Sequence, residues 1–113
     1  MIALGDIEGV TVFGLVVRFY LKDEAAAAGF DELVSEIAPG IKESEPGTVV
    51  YASHAVEGEP LQRIFYELYM DRAAFDAHEQ QPHTVRFLEL RQQYLTGHAV
   101  DFLTPVVGKG IDG

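Results

Sequence analysis

The first half of the chain contains a nearly continuous apolar run and then apolar residues at helical spacing, which predict one strand followed by one helix. Residues Val10–Leu21 are rich in β-branched and aromatic side chains, which is typical of a strand. Asp23 can cap a helix that begins near Glu24. Pro39 predicts a kink in that helix and not its end, because a stripe of apolar residues at helical spacing continues past it: Phe30, Leu33, Val34, Ile37 and Ile41.

A β-hairpin is predicted next. Glu45-Pro46-Gly47 is a turn, and residues 48–56 form a second strand. Residues 57–60 contain Gly58 and Pro60 and form the hairpin turn, so the third strand, residues 63–70, runs antiparallel to the second.

The last part of the chain predicts a second helical region and a fourth strand. Asp71 caps a helix from Arg72, and Pro82 suits the first position of a new helical segment. Gly97 is the expected C-cap, and residues 99–107 form the last strand, with Pro105 near its end. The order β-α-β-β-α-β predicts an α+β, ferredoxin-like split βαβ fold, with two helices on one face of a four-stranded antiparallel sheet.

The first strand is apolar on both of its faces, and this predicts an assembly. One face carries Phe13, Leu15, Val17 and Phe19, and the other carries Val12, Gly14, Val16 and Tyr20. Helices can cover only one of these faces, and each large apolar side chain left in water costs roughly 1.5–3 kcal/mol. We therefore expect a homodimer in which two sheets pack face to face in a barrel-like core.

Length and composition narrow the class of protein. A chain of 113 residues fits a single domain, with a core at about residues 10–106 and frayed ends at residues 1–8 and 108–113. The formal net charge of -10 and the lack of a basic stripe argue against nucleic-acid binding. No apolar run is long enough to span a membrane, and the first residues lack the basic n-region that is typical of a secretory signal. With no cysteine in the sequence, we expect a cytoplasmic protein.

The segment from Arg63 to His83 concentrates the side chains that could carry chemistry. Glu67, His78 and His83 are the candidate catalytic residues, because such groups could bind and deprotonate a small aromatic or enolic substrate. The alternative for His78 is a hydrogen bond to a sheet carbonyl, and for His83 a solvent-facing position in the first turn of a helix. We expect no metal, because the histidine spacing is one residue longer than in the zinc-protease motif and Pro82 interrupts it.

Glu67 shares one face of the third strand with Phe65 and Tyr69. If that face is buried, the carboxylate needs a partner, for which Arg18 and Arg63 are the candidates. The functional alternative is that Glu67 orients a histidine or tyrosine that touches the substrate.

Four further residues are candidates for substrate binding. Tyr51 and Tyr69 each offer an aromatic ring and a hydroxyl, Arg18 could stabilise an oxyanion, and His54 could line the pocket or face a partner subunit. The tyrosines could equally be core or interface residues. We expect four glutamates to be solvated surface and turn charges: Glu43, Glu45, Glu57 and Glu59.

Three short segments resemble the antibiotic biosynthesis monooxygenase group of dimeric α+β barrel proteins. They are Glu45-Pro46-Gly47, Phe65-Tyr66-Glu67 with Tyr69, and Ala74-Phe75-Asp76-Ala77-His78 followed by Pro82-His83. The resemblance covers residues 10–106. It implies a homodimer with a pocket between helices and sheet in each protomer, and oxygenase chemistry on quinol-like substrates without metal, flavin or other cofactor.

The sequence departs from that group in two respects, which bear on function. Where a tryptophan commonly follows the strand-three glutamate, this chain has Tyr69, and it contains no tryptophan at all. The branch that degrades haem relies on a tryptophan, so the departure disfavours haem degradation. We therefore expect a cofactor-independent monooxygenase acting on a quinol-like, polyphenolic or enolisable small molecule. The alternative is a non-catalytic dimer that binds a small ligand or has a stress-related structural role.

Overall fold

The computed structural model describes residues 12–110. Val10 and Thr11 of the predicted first strand, and residues 1–8 and 111–113 of the predicted frayed ends, lie outside the described residues. Residues 108–110 contain no helix or strand. The elements, in chain order, are β1 (Phe13–Leu21), α1 (Glu24–Ser44), β2 (Thr48–Val56), β3 (Glu59–Tyr69), α2 (Arg72–Glu79), α3 (Pro82–Leu90), a 3-10 turn (Arg91–Tyr94) and β4 (Leu95–Leu103).

The four strands form one antiparallel sheet in the order β2-β3-β1-β4. This order confirms the predicted ferredoxin-like α+β fold. Val17 in the middle of β1 illustrates the register of the sheet. It pairs with Phe65 of β3 on one side and with Val100 of β4 on the other. Directly paired residues point to the same face, so the register fixes which side chains meet beneath the helices.

The helices cover one face of the sheet and enclose the main core. Phe19 and Phe65 from the sheet are 1% exposed, and Phe30 from α1 is fully buried between them and α3. Burying each such side chain contributes roughly 1.5–3 kcal/mol to folding. The core also contains further buried residues of the predicted α1 stripe, which are Leu33, Ile37 and Ile41. β1 adds Leu15 and Val17, and α3 adds Phe87.

The helix starts follow the predicted capping residues. The side chain of Asp23 accepts a hydrogen bond from Ala26 N at 2.7 Å, and that of Asp71 accepts one from Ala74 N at 2.8 Å. Pro82 occupies the first turn of α3, where its missing N–H leaves no hydrogen bond unmade. α1 continues through Pro39 to Ser44, as predicted from the buried position of Ile41.

Four predicted boundaries are wrong, and one of them is the start of β4, which lies at Leu95 and not at Ala99. β3 begins at Glu59 and not at Arg63, since the turn needs only Glu57 and Gly58, whose φ is 79°. Gly97 is not a helix cap but a β4 residue opposite Tyr20, because the chain leaves α3 through the 3-10 turn. β4 ends at Leu103 and not at Val107, because its last partner on β1 is Gly14.

Among residues 12–110, no helix covers the second face of the sheet, which is called the open face below. Arg18, Ile64 and His54 are directly paired there, and apolar side chains surround them. Several of these are half-buried at most: Val16, Val50, Ala52, Ile64 and Tyr66. β1 is therefore apolar on both faces, as predicted, although only one face is covered by helices. In the described part of the chain, no helix is long and apolar enough to cross a membrane.

Candidate active site

The carboxylate of Glu45 is the centre of a buried hydrogen-bonded cluster. Its Oε1 lies 2.7 Å from Nδ1 of His78 and accepts a hydrogen bond from Thr48 Oγ1 at 2.7 Å. Its Oε2 contacts Nε2 of His83. Glu45 is 8% exposed and His78 is 4% exposed, so these contacts are made away from bulk water. The prediction that Glu45 is a solvated turn charge is wrong.

The turn after α1 explains why Glu45 is buried. Gly47 O accepts a hydrogen bond from Met70 N at 2.9 Å, which fixes the turn to the end of β3. A Cβ at Gly47 would lie 2.6 Å from the Cβ of Ala74, so only glycine lets α2 approach this closely. α2 therefore lies against the turn, and its buried face carries His78 onto the Glu45 carboxylate.

His83 reaches the same carboxylate because the helix is interrupted before it. On a continuous helix His78 and His83 would face about 140° apart. The chain instead leaves α2 at Glu79 and begins α3 at Pro82, and both histidines converge on Glu45. His83 packs tightly on α1, where a Cβ at Gly40 would lie 2.6 Å from its Nδ1.

Glu67 and Tyr69 form a second buried pair beside His78. The Tyr69 hydroxyl donates to Glu67 Oε1 at 2.6 Å, and this oxygen lies 3.9 Å from His78 Nε2. Burial raises the pKa of Glu67, while the Tyr69 hydrogen bond works in the opposite direction. Burial and the nearby Glu67 carboxylate raise the pKa of the Tyr69 hydroxyl, which therefore stays protonated as a donor.

A cavity of about 120 Å³ lies next to these groups, between the sheet and the helices. Tyr51, Glu67 and His78 line it together with aromatic rings of the core. Burial, then the charge of Glu67, raises the pKa of the Tyr51 hydroxyl well above its ordinary value, so this hydroxyl is a neutral donor. The cavity extends to the exposed side chains of Glu79 and Phe102, where it meets solvent.

The structure thus brings five of the seven predicted site residues together: Glu67, His78, His83, Tyr51 and Tyr69. Arg18 and His54 lie on the open face of the sheet instead. Arg18 donates to Gln62 Oε1 at 2.6 Å, and Nδ1 of His54 lies 3.2 Å from Ile64 O. Neither Arg18 nor Arg63 is the partner of Glu67, since Arg63 forms a salt bridge with Asp31 at 2.8 Å.

Two residues of the site were missed from the sequence, Glu45 and Arg91. Glu45 could have been found through the Glu-Pro-Gly turn, which places a carboxylate at a tight bend that contacts another element. Arg91 lines the cavity and follows Phe87 by four residues, so it extends the buried side of α3. A lone arginine in line with an apolar helix face was the available signal.

The side chains of the Glu45 cluster contact one another through hydrogen bonds. Both oxygens of Glu45 are engaged by imidazole nitrogens, one from each histidine. Within residues 12–110, no group of three or more histidine and acidic side chains is arranged to hold a metal ion.

Fold and site together define a small α+β protein with a buried histidine–carboxylate cluster beside a cavity under the helices. The sequence profile of the antibiotic biosynthesis monooxygenase family matches residues 12–90, and the chain belongs to that family. Among curated proteins, none matches the chain.

Solved structures with low sequence identity share the fold. A candidate antibiotic biosynthesis monooxygenase of Caulobacter crescentus superposes with a TM-score of 0.80 at 21% identity, covering 91% of this chain and 97% of the other. The Rv0793 protein of Mycobacterium tuberculosis gives 0.79 at 21% identity, covering 88% and 99%. The PA3566 protein of Pseudomonas aeruginosa gives 0.75 at 23% identity, covering 88% and 99%.

Proposed function

We propose that this protein is a cofactor-independent monooxygenase that acts on a quinol-like or enolisable aromatic molecule of about one ring. Family membership supports the reaction class. The observation that carries the proposal for this chain is the His78–Glu45 hydrogen bond of 2.7 Å beside a cavity. The cavity of about 120 Å³ is similar to the cavity of about 150 Å³ that admits benzene in another protein, which favours a single-ring substrate.

His78 is the proposed general base. An ionised Glu45 can only accept hydrogen bonds, so Nδ1 of His78 donates to it and Nε2 keeps its lone pair. Such a pairing fixes both the tautomer and the orientation of an imidazole, and it stabilises the imidazolium after proton transfer. Tyr51 and Tyr69 flank the ring, with centroids 5.4 and 5.3 Å from that of His78, and restrict its rotation.

Glu67 and Tyr51 are the proposed substrate contacts near the base. Glu67 Oε1 lies 3.9 Å from His78 Nε2, which marks the region where an acidic proton of the substrate would lie. The Tyr51 hydroxyl is neutral and lines the same cavity, so it could donate to the oxygen that becomes negative. In this role Tyr69 positions Glu67 through their 2.6 Å hydrogen bond.

The proposed reaction oxidises a ring carbon that is para to the ionised oxygen and carries a hydrogen atom, so any second hydroxyl group of a quinol-like substrate lies elsewhere on the molecule. His78 removes the phenolic proton, and the resulting anion transfers one electron to dioxygen. The ring radical and superoxide combine into a peroxide, which takes up the proton from His78. Loss of water then leaves a carbonyl, so a phenol and O₂ give a quinone and H₂O with every atom accounted for.

His83 is the proposed route by which the cluster exchanges protons with solvent. Its side chain is 17% exposed, while the Glu45 carboxylate to which it is bonded is 4% exposed. A proton could therefore pass between water and His78 through His83 and Glu45 without opening the cavity.

We further propose that the working form is a cytoplasmic homodimer. The open face of the sheet carries the half-buried side chains of Val16, Val50, Ile64 and Tyr66, and no helix of the described chain covers it. A second copy packed on this face would bury these side chains. Sedimentation at micromolar concentration should give a particle of about twice 12.4 kDa, and a lone protomer would contradict the proposed assembly.

Oxygen consumption by metal-free protein tests the proposed reaction. We expect uptake of one O₂ per quinone formed, without release of hydrogen peroxide, with one or more members of a panel of single-ring and two-ring phenols that carry a hydrogen atom at the para carbon. His78→Gln should reduce the rate by about 10²–10⁴-fold, the range of general-base catalysis. His98→Gln, at an exposed position of β4 that neither lines the cavity nor lies on the open face, is the matched control. No uptake across the panel, or equal rates in the two variants, would overturn the proposal.

A non-catalytic ligand-binding protein is the second candidate, and one observation favours it. Both histidines have hydrogen-bond partners, and such satisfied groups also occur in purely structural networks. Saturable binding of a quinol without its oxidation would support this alternative.

A further inference from the structure

Arg91 enters the same cavity from the 3-10 turn that follows α3. Its guanidinium carbon lies 5.3 Å from the ring centroid of Phe19 and 5.6 Å from that of Phe87, and both rings line the cavity. These cation–π contacts hold the side chain in place without neutralising its charge. Arg91 is half-buried, and burial lowers its pKa from the ordinary value. The pKa of an arginine is so high that the group stays charged.

The charge of Arg91 has no close partner in the described part of the chain. Its Nε is buried and makes no hydrogen bond within residues 12–110, and no carboxylate in that range lies within 4.0 Å of the guanidinium. The neighbouring basic residues differ in this respect. Arg63 meets Asp31 at 2.8 Å and Arg86 meets Glu36 at 2.9 Å. A buried donor without an acceptor costs free energy, so a ligand that supplies an acceptor at this position would recover that free energy on binding.

The two carboxylates that face Arg91 do not serve as its partners. Glu67 already accepts from Tyr69, and burial raises its pKa, which favours the neutral carboxyl group. Glu79 lies at the exposed rim of the cavity, where water screens its charge. An anion that enters the cavity would therefore meet one close cation and a weakened negative charge.

We propose that Arg91 binds an anionic oxygen of the substrate, and that the substrate is a planar aromatic carrying a carboxylate or an ionised phenol or enol. The guanidinium fork can donate two parallel hydrogen bonds to such an oxygen pair. The flanking phenylalanine rings select a flat, apolar body, and the cavity of about 120 Å³ limits it to about one ring. The inference rests on the proposed function only in taking this cavity as the substrate site.

Equilibrium binding of matched probes tests the proposal without turnover. Benzoate and benzamide have nearly the same shape and differ in charge. Calorimetry on the intact protein should show benzoate binding at least about tenfold more tightly, the factor expected for one charge-assisted hydrogen bond. Arg91→Gln should remove this preference, and Arg91→Lys should retain part of it. Arg86→Gln, which removes an exposed and paired arginine, is the matched control and should bind as the unmodified protein does.

Two sources of the anionic oxygen are distinguished by a second probe. 4-Nitrophenol is the second probe, and its phenolate forms when the solution pH exceeds the pKa of the probe. If the phenolate binds to Arg91, the affinity of the probe should rise above that pH in the unmodified protein and should not rise in Arg91→Gln. If benzoate shows the preference and nitrophenolate does not, the substrate is a carboxylate; the reverse result indicates an enolate or phenolate.

The outcomes that overturn this inference differ from those that overturn the monooxygenase. Equal binding of benzoate and benzamide, or an unchanged ratio in Arg91→Gln, removes the anion-binding role even if oxygen is consumed. An Arg91-dependent preference without oxygen uptake leaves the anion site standing and removes the reaction. If Arg91→Gln does not fold, the ratio in the unmodified protein and in Arg91→Lys decides.

Discussion

The two faces of the sheet differ in how their polar and apolar groups are satisfied. β3 shows both, because its alternate residues point in opposite directions. Glu67 and Tyr69 point under the helices, where they are buried and bonded to each other at 2.6 Å. Tyr66 and Ile64 point to the open face, where they remain half-buried. Within residues 12–110, the β3 side chains under the helices are therefore buried and bonded, while those of Ile64 and Tyr66 on the open face are only half-buried.

This difference separates what one protomer does from what an assembly does. Glu45, which follows α1, takes its hydrogen-bond partners from β2, α2 and α3 of the same chain. Substitutions there should change stability and catalysis at any protein concentration. Substitutions on the open face should act through association and depend on concentration. The predictions below test this separation, beginning with the largest expected effect.

Glu45→Ala should be the most damaging substitution on the covered face. It removes the acceptor for His78, His83 and Thr48 at once, and each buried donor left without a partner costs about 1–3 kcal/mol. We expect the free energy of unfolding to fall by about 3 kcal/mol and quinol oxidation to be lost with it. Denaturant titration with an oxygen electrode measures both.

Glu43→Ala is the control for Glu45→Ala, because Glu43 is exposed on the last turn of α1. It should change stability by no more than about 0.5 kcal/mol. Equal effects at residues 43 and 45 would mean that the cluster contributes nothing beyond surface charge. Glu45→Gln should give an intermediate result, since its amide oxygen can still accept one of the hydrogen bonds.

Tyr66→Glu should have the largest effect on the open face, and that effect should depend on concentration. A charge placed in the proposed dimer contact should weaken association by about 2 kcal/mol or more per copy, the size of an interface hot spot. Sedimentation should then show single chains at concentrations where the unmodified protein is dimeric. Val85→Glu adds the same charge at an exposed position of α3 and should leave the assembly intact. Identical sedimentation of the two variants would remove the open face as the dimer contact.

Gly40→Ala should displace His83 with a smaller loss. The new Cβ would lie 2.6 Å from His83 Nδ1, so the imidazole or α1 must move. Overpacking of this kind costs about 1–3 kcal/mol. Gly97→Ala is the matched control, because a Cβ at Gly97 meets nothing within 4 Å. A stable Gly40→Ala protein with an unchanged His83 NMR signal would contradict the tight α1–α3 contact.

The sequence was sufficient for the fold because each element carries a local signal. Asp23 and Asp71 mark helix starts by capping, and the two apolar faces of β1 predict helices on one face and a different cover on the other. The ends of β3 and β4 were mispredicted because partner strands set them. The last residue of β4, Leu103, is the one that pairs with Gly14 near the start of β1.

The site was predicted in part, for a physical reason that its residues show. Glu67, His78 and His83 lie close together in the chain, and their residue types indicated chemistry. Glu45 lies 33 residues before His78 and looks like a turn charge until the Gly47–Ala74 contact buries it. Whether Arg18 and His54 line the pocket depends on which face of the sheet the helices cover. The alternation of side chains along a strand does not determine which face that is.

The last prediction concerns pH and the covered face alone, and it has the smallest expected effect. Burial raises the pKa of Glu67 above its ordinary value of 4.5, although the Tyr69 hydrogen bond offsets part of this shift. Between the unfolded pKa and the raised folded pKa, the native state binds more protons than the unfolded state. Glu67 therefore makes the protein less stable as pH rises through that window.

Glu67→Gln should remove this pH dependence, because the amide accepts from Tyr69 and does not ionise. The difference in unfolding free energy between the variant and the unmodified protein should increase in favour of the variant from about pH 4.5 upward, and level off above the raised pKa. Glu32→Gln, exposed on α1, should show no such change. Denaturant titrations across this pH range measure the difference. If the stability of Glu67→Gln depends on pH in the same way as that of the unmodified protein, ionisation of Glu67 costs no folding free energy beneath the helices. The contrast between the two faces of the sheet would then rest on packing alone.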